Sequence, residues 1–407
     1  MSAAVRAGVH ALVLATAPAD DRVLVGVSLS ERARRSARHA GIAPGRIHVV
    51  RDPADLAAAR RLITGPLVVV RARDQVVMPA LVRLLAPDRP GTRVAVDATG
   101  AHAGALRLEP GELPQLWAAL DADLAEGDHA VAARILATAP AAAVPGIVAD
   151  TVVRADSTTH HVARTAAEAR AATAWLWRFI HKPELDSVFT RYLCRPLARP
   201  LTHLFVRLPF TPNMITVFSI LVGWLGCALA AGASYGTHLA GLAVIVFGNG
   251  LLDAVDGEVA RLRLQFSRAG DWLDAFGDHT IRIGLILALG RHVAAQLPSL
   301  PMWPLALATA AATLAAMAPM YWYCLSVHRT INLQHYGEVT GGTRGWSSQL
   351  SSRDFTDYAF LVLAASGLSV ISLAGTAAGA LVALATVVRA HPRAIRRRRA
   401  ARQPALA

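Results

Sequence analysis

From Thr211 to Arg389 the chain is built of apolar stretches of near-membrane length, and two of them are joined by LLDAVDGEVARLRLQFSRAGDWLDAFGD, Leu251 to Asp278. This pairing constrains the fold more than any other feature. Backbone N–H and C=O groups inside a bilayer must be satisfied within the segment, so the apolar runs are read as helices. An aspartate among them costs about 2.5–3.5 kcal/mol at mid-helix and less near an end. Hydropathy places spans at about 214–232, 237–262, 269–291, 302–327, 354–368 and 370–390, six transmembrane helices in all. The last two lie in "YAFLVLAASGLSVISLAGTAAGALVALATVV", which reads either as two helices or as one long broken helix.

Composition agrees with a membrane protein. The chain is 54% hydrophobic with mean hydropathy +0.39, too apolar for an ordinary soluble enzyme of 407 residues. The net charge of +13 suits an anionic membrane surface, and anionic lipids are the expected partner. Nucleic acid is not, because no basic face interleaved with aromatics is present. Arginines sort by side: Arg261, Arg263 and Arg268 lie in one loop, Arg329, Arg344 and Arg353 in another, and "RAIRRRRAARQ" in the tail, whereas the connections near 233–236 and 292–301 are poor in Lys and Arg. The positive-inside rule then puts both termini and these loops in the cytoplasm of a multi-pass protein of the inner membrane. Cys194, Cys227 and Cys324 are isolated and read as packing residues, neither a disulfide framework nor a zinc site.

Residues 1–160 form a second region, with short β-branched runs ("ALVLA", "RVLVGV", "RIHVV", "PLVVVRA") alternating with amphipathic ones ("SERARRSARHAGI", "DPADLAAARRLI", "MPALVRLL"). This pattern predicts a cytoplasmic α/β domain of Rossmann type with a largely parallel sheet, with Ser30 and Asp52 as helix N-caps and Gly41 as a C-cap. The opening MSAAVRAGVHALVLATA resembles a short signal peptide but runs directly into "DDRVLVGVS", so it reads as a buried first strand. Residues 161–210 comprise a connecting helix at 163–181 and an amphipathic stretch in which Phe189, Leu193, Leu197, Leu201, Leu204 and Phe205 alternate with Arg191, Arg195, Arg199 and Arg207. That stretch suits the headgroup layer, and its prolines argue against one straight helix. The membrane domain spans 211–391 and a basic tail 392–407.

With one connection inward and the next span outward, Asp253, Asp256, Asp274 and Asp278 fall at one depth near the cytoplasmic ends of adjacent helices. Asp253, Asp256, Gly257, Ala260 and Arg261 share one face, and Gly270, Asp274 and Asp278 another. Several ionised carboxylates so close need a cation. An all-oxygen set suits Mg²⁺ or Mn²⁺, and two ions can bridge the carboxylates and clamp a diphosphate. Gly257 and Gly270 remove side chains where a nucleotide approaches, Ala260 keeps the groove open, and Arg261 suits bidentate phosphate contact. With three carboxylates on metal, the fourth can accept a proton from an incoming hydroxyl, and Asp278, last and deepest, is the candidate catalytic base. A divalent metal transporter built on the same carboxylates is the rival reading.

These residues match D-x-x-D-G-x-x-A-R, eight residues, G-x-x-x-D-x-x-x-D, and the region 180–390 resembles the CDP-alcohol phosphotransferases; "TPNMIT", Thr211 to Thr216, is similar to that family's entry into its first span. The resemblance implies a six-helix, usually dimeric membrane enzyme, which transfers a phospho-alcohol group from a CDP-linked donor such as CDP-diacylglycerol or a CDP-polyol to an alcohol or phospho-alcohol acceptor and releases CMP, in phospholipid biosynthesis. It implies metal ligation by Asp253, Asp256 and Asp274, with Asp278 sharing in it while acting as base. The CDP site would take Asp253, Gly257, Ala260, Arg261, Gly270, Ser267 and Asn213. Arg329 and Arg353 are candidates for a phosphate on the acceptor, positive-inside topology being the plainer account of both. His328, His335, His160 and His161 read as ordinary polar residues.

The N-terminal domain more faintly resembles the sugar-nucleotide transferase domains fused ahead of this membrane domain in inositol-phosphate lipid enzymes. "HALVLA" corresponds to their first strand, but "TAPADDR" follows where a glycine-rich loop would cradle phosphate, and Asp74 stands one place late for their metal-binding strand end. The domain is therefore expected to be degenerate, a scaffold or regulator; a bifunctional enzyme whose N-terminal half makes the CDP-linked substrate is the alternative.

Overall fold

The computed structural model describes residues 8–16, 22–72, 76–77, 82, 91–96, 102–126, 142–144, 147–148, 150–155, 160–178, 180, 188–340 and 353–402. Two compact units divide it, residues 3–180 together with 261–265, and residues 181–260 together with 266–407. Asp74, most of "TAPADDR" and most of "MPALVRLL" lie outside the described residues.

The first unit is built on a six-stranded sheet of β1 (His10–Leu14), β2 (Ile47–Val50), β3 (Leu67–Arg71), β4 (Arg93–Val96), β5 (His102–Leu108) and β6 (Thr151–Arg154), in the order β6-β4-β5-β3-β1-β2. Strand β1 is parallel to both neighbours, with Val13 opposite Val49 and Val70. Both β1 and β3 are buried along their whole length, as continuous apolar strands must be. The sheet is largely parallel as expected, with β5 alone running antiparallel, between β3 and β4. The "RVLVGV" run makes no strand of this sheet. Val25 and Gly26 take positive φ and fold it into a two-residue hairpin of Val23–Leu24 with Val27–Ser28. Among the described residues the unit also holds helices α1 (Leu29–His39), α2 (Pro53–Leu62), α3 (Leu113–Glu126) and α4 (Ala166–Arg178), and Leu56, Leu116, Trp117 and Leu120 pack with Leu12, Val69 and Leu106 in one core. Asp52 caps α2 as expected, accepting from Asp55 N at 2.8 Å. The cap of α1 is Ser28; Ser30, expected there, sits inside the helix. Gly41 follows the last turn with φ +99°, a left-handed position open to glycine.

The second unit is helical, with α5 (Arg195–Arg207), α6 (Pro212–Ala230), α7 (Tyr235–Ala243), α8 (Gly250–Arg263), α9 (Arg268–Gln296), α10 (Met302–Tyr323), α11 (Arg353–Ala365) and α12 (Ser369–Arg402). The end of α8 belongs to the first unit. A wide π turn over Val244–Asn249 joins α7 to α8. Among the described residues four helical stretches are long and apolar enough to cross a membrane: Pro212–Ala230, Tyr235–Arg263, Met302–His328 and Ser369–Arg399. Helix α9, with 29 residues, is long enough but carries Asp271, Asp274, Asp278 and Arg282; α11 has 13 residues and is shorter than a bilayer. The final apolar stretch is two helices, separated at Gly367, whose φ is +73°.

Small residues let these helices touch. A Cβ on Gly241 would lie 2.1 Å from the backbone nitrogen of Ala230, and one on Gly290 2.1 Å from Ala306 Cβ, which is how helix contacts form where no hydrophobic force separates protein from lipid. The juxtamembrane stretch runs into α5 through a π turn at Thr190–Cys194, and Pro200 is accommodated inside α5. Arg195, Ala198, Thr202 and Val206 form its buried stripe, while Arg191, Arg199, Arg207, Leu197 and Leu204 point outward. All three cysteines are free and buried, consistent with packing.

Candidate active site

Helix α8 presents Asp253 and Asp256 one turn apart, and α9 presents Asp274 and Asp278. Each of Asp253, Asp256 and Asp274 offers an oxygen, and these three atoms lie within 4.8 Å of one another. Opposite ligands of an octahedral Mg²⁺ stand about 4.2 Å apart, twice its bond to oxygen, so these hard oxygen donors lie near the separation at which they could hold a divalent cation. Asp256 is 7% exposed and accepts from Thr216 Oγ1 of α6 at 2.5 Å. Asp278 joins the set through Arg353, whose Nη1 donates both to Asp278 and, at 3.1 Å, to Asp253.

Arg353 thus belongs among the carboxylates. Its Nη2 donates to Asn249 Oδ1 at 2.6 Å, and Asn249, 2% exposed, is fixed by donating to the carbonyl and hydroxyl oxygens of Ser219 at 3.1 and 2.9 Å. Asp357 stands behind it, 3.7 Å from Arg353 Nε and 3.2 Å from Arg282 Nη1. Asn249, Thr216 and Asp357 escaped the sequence reading because each acts through a partner on another helix. Arg329 ends the helix after Met302–Tyr323 in a left-handed conformation, φ 52°, and among the described residues no ion pair joins it to the four aspartates. His328 stacks on His335 with ring centroids 4.5 Å apart.

Across the spacer, Ser267 caps α9 by accepting from Gly270 N at 2.9 Å, and Asn213 Nδ2 donates to Ser267 Oγ at 3.3 Å. A Cβ on Gly270 would sit 2.7 Å from Asn213 Oδ1, so glycine is required there for the Asn213–Ser267 contact. Asn213, Ser267 and Gly270 are therefore brought together. Glu258, between the signature positions, points away. It pairs with Arg195 Nη1 at 2.8 Å and accepts from Thr202 Oγ1, tying α5 to α8. A cavity of about 1130 Å³ opens between α10, α11 and α12, lined mainly by apolar side chains including Phe355, Phe360 and Val387, with Arg282 at its wall.

Asp253, Asp256 and Asp274, on two helices of a helical membrane bundle, thus form a carboxylate cluster that could hold a metal ion. Residues 210–390 match the family model "CDP-alcohol phosphatidyltransferase". Over 108 residues the chain is 31% identical to the "Bifunctional IPC transferase and DIPP synthase" of Aquifex aeolicus (strain VF5), covering 26% of this chain and 24% of that protein. The chain thus matches about a quarter of the length of that curated relative.

Proposed function

We propose that the second unit transfers a phospho-alcohol group from a CDP-linked donor, CDP-diacylglycerol or a CDP-polyol, to the hydroxyl of an acceptor alcohol, with release of CMP, in phospholipid biosynthesis. The observation that carries this reading is the convergence of Asp253, Asp256 and Asp274 oxygens within 4.8 Å, with Asp278 tied to Asp253 through Arg353. Asp253, Asp256, Asp274 and Asp278 hold one or two divalent ions, Mg²⁺ or Mn²⁺. When bound, these neutralise the diphosphate and stabilise the charge that develops as it is cleaved. Asp253, Gly257, Ala260, Arg261, Ser267, Gly270 and Asn213 line the CDP site, with Arg261 contacting phosphate. Asp278 accepts the acceptor hydroxyl's proton as its oxygen bonds to the distal phosphorus, and the pyrophosphate bond breaks toward CMP. Arg353, and Arg329 from its loop, are the acceptor-phosphate residues; Arg353's position beside Asp278 supports its part. The apolar cavity supports a substrate with acyl chains.

The proposal includes six spans, α9 and α11 joining the four apolar stretches, in a homodimer of the inner membrane with both termini cytoplasmic and anionic lipids against the arginines of α5. The N-terminal unit is read as a non-catalytic appendage. The test supplies membranes with CDP-diacylglycerol, Mg²⁺ and a panel of phosphorylated alcohols, and follows CMP release and new lipids by mass spectrometry. Wild type is expected to form one product, abolished by chelation and reduced at least a thousandfold in Asp278→Asn. Metal uptake into vesicles without CMP release would support the transporter reading instead.

A further inference from the structure

The last turn of α8 is held by the first unit. Residues Arg261–Gln265 belong with residues 3–180 in one compact body, and three side chains of α1 reach their backbone. Arg32 Nη2 donates to the Leu262 carbonyl at 2.7 Å. Arg35 Nη1 donates to the Arg263 carbonyl at 2.7 Å, and His39 Nε2 donates to the Leu264 carbonyl at 3.0 Å. The carbonyls of Leu262 and Arg263 lie in the last turn of a helix, where no intrahelical donor exists. Positive side chains also suit that negative end.

Arg32 is the telling residue. It is 1% exposed, and among the described residues no acid pairs with it. Burial, with Arg35 nearby, pushes its guanidinium down to about 9. Its Nη2 also donates to Leu24 O at 3.1 Å. A buried cation without a counter-ion is expensive, and here its visible work is to grip the end of the helix bearing Asp253 and Asp256. Leu264 supplies an independent sign of constraint. It is a leucine at φ 51°, a left-handed conformation costing about 1–2 kcal/mol, and it is kept there while 4% exposed.

We propose that α1 is a positioning clamp: Arg32, Arg35 and His39 hold Leu262–Leu264, the start of the eight-residue spacer between the two halves of the aspartate signature, and so fix the carboxylates on either side. This gives a degenerate N-terminal domain a role that needs no chemistry of its own. The consequence for nucleotide binding rests on the proposed function; the clamp itself does not.

Arg32 is too deeply buried to replace without unsettling its helix, so the test uses full-length Arg35→Gln/His39→Ala in nanodiscs. Arg34→Gln is the control, since Arg34 also pairs with Glu31 but does not touch the spacer. Hydrogen exchange of amides 262–269 is expected to quicken about tenfold in the double variant and to stay unchanged in the control. Affinity for Mn²⁺ alone, and for CMP with Mn²⁺, is expected to fall five- to tenfold at an unchanged melting temperature. Exchange within twofold of wild type overturns the clamp, and faster exchange with unaltered Mn²⁺ affinity reduces α1 to packing and overturns its positioning role. If wild type binds Mn²⁺ but not CMP, the proposed function fails while the exchange and Mn²⁺ data still decide the clamp.

Discussion

Arg353 draws Asp253 of α8 and Asp278 of α9 onto one guanidinium, from a helix a hundred residues away from the first of them in sequence. Its orientation depends on Asn249, whose amide oxygen accepts from Nη2 and whose amide nitrogen is held by Ser219. Asn249→Ala therefore removes the acceptor of Arg353 Nη2 and the amide donor to the buried Ser219 carbonyl, a loss of about 1–3 kcal/mol. A lower melting temperature, with kcat/KM for the acceptor reduced about tenfold, is the expected result; Asn249→Asp, which keeps the acceptor toward Arg353, should retain more activity than alanine. Equal activity in alanine and wild type would show that Arg353 needs no such support. The aspartates were legible in the sequence because carboxylates in apolar segments are conspicuous and their spacing puts them on helix faces. Asn249 was not, since an asparagine within an apolar run announces no partner, and its partner is 104 residues away.

At the scale of elements, the juxtamembrane helix shows what periodicity can and cannot assign. The alternation of arginines and apolar residues in α5 correctly marks it as amphipathic, yet nothing in that alternation distinguishes Arg195 from Arg191, Arg199 or Arg207. The structure turns Arg195 inward, 9% exposed, onto Glu258, 2% exposed. Removing one member of a buried pair leaves an uncompensated charge and costs about 3–5 kcal/mol, whereas replacing both by apolar groups of similar size is often neutral. Glu258→Ala is accordingly expected to destabilise the membrane domain by about that amount and to lower activity, although Glu258 touches no substrate. Arg195→Met/Glu258→Leu should recover most of the stability. A double-mutant cycle on thermal unfolding checks this: a double variant destabilised by the sum of the two singles would mean the pair contributes no coupling. Helix boundaries followed the same rule. Asp52 was readable as a cap because it precedes a proline and an apolar periodicity, but the cap of α1 lies two residues before the serine chosen for it, as local signals do not fix ends to the residue.

For the molecule as a whole, the division into an α/β unit and a helical membrane unit was readable from hydropathy and strand spacing alone, because burial in lipid and burial in a sheet leave different periods in the sequence. The antiparallel β5 and the seating of 261–265 were not, since both are set by long-range pairing that no local pattern encodes. Orientation rests on charge asymmetry. Ala233 lies in the Lys- and Arg-poor connection between α6 and α7, and Arg399 lies in the basic end of α12; both positions are exposed. Because the native cysteines are buried, single introduced thiols can report sidedness. In intact cells a membrane-impermeant maleimide should modify Ala233→Cys and spare Arg399→Cys until the membrane is permeabilised. The opposite pattern would place the arginine-rich tail outside. It would also put the carboxylate cluster at the face away from cytoplasmic CDP-linked donors, and the proposed chemistry would lose its substrate supply. Modification of both thiols before permeabilisation would imply an even number of crossings between them, removing either α9 or α11 from the six spans.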